Sequence, residues 1–150
     1  MPRVELTYPA GALSDEAKLE LPQRLAESML RWEGAPDTEF FRSISWVHVH
    51  ELPAGAVFTA DGPAQASQFV VDVSVPQGGL SDRRRAGLVE EFSKLVREAA
   101  GLKVEEGVRV WVLVHEIAEG NWGAGGQIIR FEQLREAATA ERDRAAAAPA

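Results

Sequence analysis

Two stretches of this chain return in the same order. VELTYPAGALSD at Val4 to Asp15 comes back as VDVSVPQGGLSD at Val71 to Asp82, and WVHVHE at Trp46 to Glu51 comes back as WVLVHE at Trp111 to Glu116. Each pair agrees at half its positions or more. A duplicated unit of about 65 residues decides the architecture before local propensity is weighed, because each copy must build the same supersecondary element. The chain reads as one domain over residues 1–130, with repeats at about 2–65 and 69–130, and then a short helix and flexible tail over 131–150.

Val4 to Tyr8 and Val71 to Val75 read as strands, each closed by a Pro and a Gly that mark a turn. Ser14 and Ser81, each followed by an acidic residue, are N-cap candidates, since a hydroxyl oxygen satisfies amides left unpaired in a first helical turn. Leu88, Phe92, Leu95, Val96 and Ala99 then recur at helical spacing up to a stop at Gly101. Ala17, Leu21, Leu25, Met29 and Trp32 form the matching stripe, but Pro22 inside it predicts a kink or a late start. The Val- and Trp-rich runs Ile44 to Leu52 and Val108 to Ile117 supply the second strands.

Strand, helix, strand is a right-handed crossover with parallel strands. Two such units predict an α/β (α+β) fold, a four-stranded sheet with two helices on one face. Trp46 alternates with Val47 and Val49, so both sheet faces are expected to carry apolar groups. One helix layer covers only one of them, which predicts association with further copies.

Composition removes several function classes. A formal charge of -7 argues against nucleic acid, and Arg83 to Arg85, the one basic run, reads as a solvated helix face. The absence of cysteine excludes disulfide scaffolds and thiolate chemistry. His48 and His50 share one side of the pleat, with His115 in the second copy, yet zinc takes three or four ligands, so no metal and no cofactor is expected. No signal-like start and no apolar run near the roughly 18 residues of a membrane span is present, which predicts a cytoplasmic protein with no membrane partner.

The chemistry-bearing candidate is Pro2. Removal of Met1 would leave a free secondary amine, a group no internal residue offers, and the strand that follows would hold it in place. Such an amine becomes a general base near neutral pH when desolvation or a neighbouring cation lowers its pKa. Glu116 to Gly126, EIAEGNWGAGG, presents Trp122 on a glycine-rich turn or small hairpin, with Phe58 of LPAGAVFTADG as its counterpart or near neighbour. Glu51 and Glu116 recur at one place in both copies, which suggests structural pairing with an amide or a cation.

These residues resemble the tautomerase superfamily, the amino-terminal proline enzymes built from one or two strand-helix-strand units. The second unit is similar to 4-oxalocrotonate tautomerase through Gly79, Ser81, Asp82 and the ending Glu116-Ile117-Ala118-x-Gly120-x-Trp122-Gly123-x-Gly125-Gly126; HELPAGAVFTADG at His50 to Gly62 is similar to cis-3-chloroacrylic acid dehalogenase. The resemblance implies a tautomerase/MIF-like homotrimer of fused chains acting on a small molecule, with Pro2 as general base, or as general acid in water-adding members.

Other residues of the family depart. Its arginine positions fall on Leu13, Leu80, Trp46 and Trp111, and the dehalogenase's histidine, arginines, tyrosine and glutamate fall on Met29, Gln77, Leu80, Leu113 and near Ala124. A dianionic diacid, which normally needs arginine, is thereby disfavoured. The expected function is keto-enol proton transfer by Pro2 on a monoanionic or aromatic 2-oxo or enol compound. Trp46, His48, Trp111 and Trp122 are the expected substrate contacts, and Arg109, or else Arg84 or Arg3, the replacement cation. The alternatives are a non-catalytic trimeric binding or assembly protein and a hydratase or dehalogenase.

Overall fold

A computed structural model describes residues 2–147. β1 (Arg3–Pro9) leads into α1 (Asp15–Glu33), the short α2 (Glu39–Ser43) and β2 (Trp46–Leu52). The second copy runs β5 (Phe69–Pro76), α3 (Asp82–Ala99), a 3-10 turn (Val104–Arg109) and β6 (Val110–Ile117). Between and after them lie two small hairpins, β3 (Phe58–Thr59) with β4 (Gly62–Pro63) and β7 (Gly123–Ala124) with β8 (Gln127–Ile128); α4 (Phe131–Ala147) closes the chain.

The sheet order is β2-β1-β5-β6. Each copy contributes one parallel pair, and the copies join through the antiparallel pair β1 and β5, where Arg3 faces Ser74 and Thr7 faces Val70. Alternation then sorts the side chains. Val4, Leu6 and Tyr8 with Phe69, Val71, Val73 and Val75 turn to the helices and form the core with Leu21, Leu25, Met29, Leu88, Phe92 and Val96.

The duplication extends to contacts. Ser14 Oγ accepts from Ala17 N and Ser81 Oγ from Arg84 N, capping the two helices in the same way. Glu51 pairs with Lys18 at 2.8 Å, and Glu116 with Arg85 and with the amide of Gly78, both at 3.2 Å. The recurring glutamates are thus tie points from the second strand to the helix or to the loop before it. Each hairpin is closed by one carbonyl, Val57 accepting from Ala64 and Trp122 from Ile129. Val57 is therefore the counterpart of Trp122, and Phe58 its neighbour. In the second hairpin Gly125 and Gly126 have φ of 59° and 78°, the left-handed pair a two-residue turn between β7 and β8 demands.

Four sequence expectations change. Pro22 does not delay α1, which is capped at Ser14 and runs on past the proline; Pro22 brings no amide, so the Lys18 carbonyl lacks its helical donor there. The second strands start later than read, at Trp46 and Val110, because α2 and the 3-10 turn take the preceding residues. The terminal helix is not short but spans 17 residues. The sheet face away from the helices is more polar than expected: Val47 turns toward the core, and Arg3, Glu5, His48, His50, Asp72 and His115 occupy that face around Trp46, Trp111 and Leu113. Tail residues 148–150 and Met1 lie outside the described residues.

Candidate active site

Pro2 is buried at the entrance to β1. Continuing the registers by one residue sets it beside Ser45 of one neighbour and Val75 of the other, next to Pro76. At this end of the sheet opens a cleft of about 480 Å³. Its floor is the end of α1 (Glu33, Gly34, Ala35) with Phe41 of α2; one side is Pro76, Gly78, Gly79, Ser81 and Arg84, and the other is α4, through Phe131, Leu134, Arg135, Ala138, Thr139 and Arg142. Another depression lies along the outer face of α3 alone and is open to solvent.

Several local features shape this cleft. Gly34 ends α1 in the left-handed conformation, its amide returning to the Arg31 and Leu30 carbonyls. The freed carbonyls behind it draw cations: Arg84 Nη1 donates to the Glu33 carbonyl at 3.2 Å, and Arg142 Nη2 donates to the Gly34 carbonyl. A helix C-terminus favours positive charge for this reason. Gly79 is needed for close approach, since a Cβ there would stand 2.9 Å from the Pro76 carbonyl oxygen. Burial pushes the Glu33 carboxyl above its ordinary value.

The residues expected from sequence to touch substrate lie elsewhere in the protomer. Trp46 and Trp111 sit on the two edge strands of the open sheet face, each indole donating to a carbonyl three residues earlier, Ser43 at 2.9 Å and Val108 at 3.0 Å. His48 stacks on Trp46 with ring centroids 6.2 Å apart. Two further strands separate the tryptophans, so within one chain they do not meet on one small ligand. Trp122 lies at the base of the second hairpin. Arg109 belongs to the 3-10 turn, not to the strand pleat, and is spent on the Ser67 carbonyl at 2.7 Å and on Glu106 at 2.5 Å. Of the replacement cations considered, Arg84 alone lines the cleft. Arg3 is bound to Glu5 on the open face.

The positions that depart from the family pattern have structural occupants. Met29 and Leu80 are in the core, and Gln77 Oε1 accepts from the Glu119 amide at 3.2 Å. Glu33, Phe41, Arg135 and Arg142 were not found from sequence. The α4 members were legible in principle, since Phe131, Leu134 and Ala138 follow helical spacing with Arg135 and Arg142 one heptad apart beside them.

Residues 70–132 match the family model described as Tautomerase enzyme. The matched residues run from the second β5 residue to the start of α4, the second of the two units. Solved structures extend the likeness to the fold of the whole chain. Pt0534 inactivated by 2-oxo-3-pentynoate is 24% identical over 88% of this chain and 98% of that one, with a TM-score of 0.72. A member of the cis-3-chloroacrylic acid dehalogenase family is 21% identical over 98% and 92%, TM-score 0.70. A fused 4-OT described as a symmetric trimer is 20% identical over 88% and 98%, TM-score 0.68. Among curated proteins none matches. The superfamily holds tautomerases, dehalogenases and MIF-like proteins and is mostly enzymatic. The family match ends at 132, so nearly all of the α4 wall lies beyond it.

Proposed function

We propose that the chain is a tautomerase-type isomerase in which Pro2, freed by removal of Met1, carries a proton between carbon and oxygen positions of a small 2-oxo acid or its enol. The observation that carries this reading is a buried Pro2 whose place in the sheet register is next to Pro76, a residue that lines the cleft. Burial disfavours the ammonium form of a secondary amine, and cations lining the cleft act in the same direction. Both bring the amine toward the neutral form that a general base needs. The enolate that develops in the reaction would be stabilised by backbone amides or a guanidinium already in place, the kind of preorganised donor that contributes most to such steps. The apolar lining from Phe41, Phe131 and Leu134 suits an aromatic or alkyl body.

Assembly as a homotrimer is part of the proposal. The sheet face opposite the helices has no cover in the protomer, and the fused 4-OT neighbour is a trimer. Trp46, His48, Trp111 and Trp122 would then reach substrate only across a subunit boundary.

A conjugated ynone such as 2-oxo-3-pentynoate is an electrophile that an unprotonated amine attacks, so it tests the nitrogen directly. After incubation with the purified chain, mass mapping should find Met1 absent and the added mass on Pro2. An unmodified Pro2, or a retained Met1, would contradict the reading. The second reading, a non-catalytic trimer serving binding or assembly, is favoured by the structural occupants at Gln77 and Leu80, and a retained Met1 would support it.

A further inference from the structure

Most arginines of this acidic chain are matched to a carboxylate: Arg24 with Glu98, Arg31 with Glu91, Arg42 with Asp37, Arg130 with Glu119 and Arg144 with Glu141 are examples. Among the described residues Arg83, Arg84, Arg97, Arg135 and Arg142 have no such partner, and three of these, Arg84, Arg135 and Arg142, line the cleft. Two are fixed in place. Arg84 and Arg142 each spend one N–H on the last carbonyls of α1. Gly34 makes room for the first, since a Cβ there would stand 3.0 Å from Arg84 Nη2.

A guanidinium carries five N–H donors in a rigid fork. One bond to a carbonyl therefore holds the group without neutralising its charge, and leaves the fork open to a carboxylate. We propose that Arg84 and Arg142, with Arg135 beside them, form the site for the carboxylate of a 2-oxo monocarboxylate, and that the C-terminal helix α4 is thereby a part of the substrate site. The inference rests on the tautomerase reading for what happens to the ligand, but not for its binding. It supplies from α3 and α4 the cations missing at Leu13, Gln77 and Leu80, and Phe41, Phe131 and Leu134 supply the contact for the rest of the ligand.

The test is equilibrium binding by calorimetry in full-length protein carrying Pro2→Ala, so that turnover does not interfere. Phenylpyruvate is compared with its methyl ester. Charge-assisted hydrogen bonds predict that Arg84→Ala and Arg142→Ala each weaken phenylpyruvate by about ten- to a hundredfold. The ester should be little affected. Arg142→Gln keeps an amide donor for the Gly34 carbonyl while removing the charge, and should show the same selective loss even if the alanine variants fold poorly.

Three results would overturn the site: no phenylpyruvate binding by the parent, unchanged binding in Arg142→Gln, or equal losses for acid and ester, which would mark a merely structural role. Tight, arginine-dependent binding without turnover in the chain retaining Pro2 would leave the site standing and sink only the Pro2 reading. Pro2-dependent turnover with arginine-independent binding would do the reverse.

Discussion

Glu91 on α3 accepts from Trp32 Nε1 at 2.7 Å and from the Arg31 guanidinium at 2.5 Å, joining the two helices through one carboxylate. Burial acts to raise its pKa, but the hydrogen bonds from Trp32 and Arg31 outweigh it and hold the carboxyl below the ordinary value. A carboxyl lowered on folding adds stability that is present above its unfolded pKa and lost as pH falls through its folded one. Urea unfolding at neutral pH and near pH 3 should therefore show a smaller acid loss for Glu91→Gln than for the parent. Identical losses would mean the carboxylate is not tied in this way. Trp32→Phe, which removes a bond to a charged acceptor, should cost about 1.5–3 kcal/mol at neutral pH. Neither partnership was legible in the sequence, because the residues lie 59 and 60 positions apart and neither falls in a repeated block. Ser14, Ser81, Glu51 and Glu116 were legible, because each of their roles appears twice.

At the scale of elements, α1 and α3 run antiparallel, with Arg24 against Glu98 and Arg31 against Glu91. Trp32 of α1 packs directly on Gly87 of α3, where a Cβ would collide with the indole at Cη2. An exposed helical Gly→Ala change normally gains about 1 kcal/mol in propensity. Here the indole is pinned by Glu91, so overpacking of about 1–3 kcal/mol should win. Gly87→Ala is expected to lower the unfolding midpoint, and a raised midpoint would contradict the close approach. Strands, helices and hairpins were readable because the periodicity was written twice, and the parallel pairing within each copy followed from the crossover rule, whereas the antiparallel joint of β1 and β5 did not. What resisted reading was unrepeated: α2, the 3-10 turn that removes Arg109 from the pleat, and the full length of α4. The cleft assembles from α1, α2, the loop after β5, α3 and α4. Only contact between distant segments reveals it; of the residues singled out from sequence Arg84 lines it, while Trp46, His48 and Trp111 lie on the open sheet face.

On the scale of the molecule, the two copies are alike in scaffold and unlike in chemistry. Phe69 stands where the repeat puts Pro2; it is 1% exposed and stacks on Tyr8 at 6.4 Å. A side chain packed there fills the second unit's corresponding place, which limits the chain to one proline-centred site. The open sheet face carries His50 paired with Glu5 at 3.3 Å and His115 paired with Asp72 at 2.7 Å, a polar surface with tryptophans at its edges. Sedimentation equilibrium should find three chains per particle, whereas a monomer at micromolar concentration would contradict the assembly proposed for it. The most direct test of the account is the rate of enol-to-keto conversion of phenylenolpyruvate by the chain lacking Met1 and by its Pro2→Ala variant. The account predicts rapid conversion by the first and a loss of about a hundredfold or more in kcat/KM for the second, with the fold retained. Equal rates would contradict it.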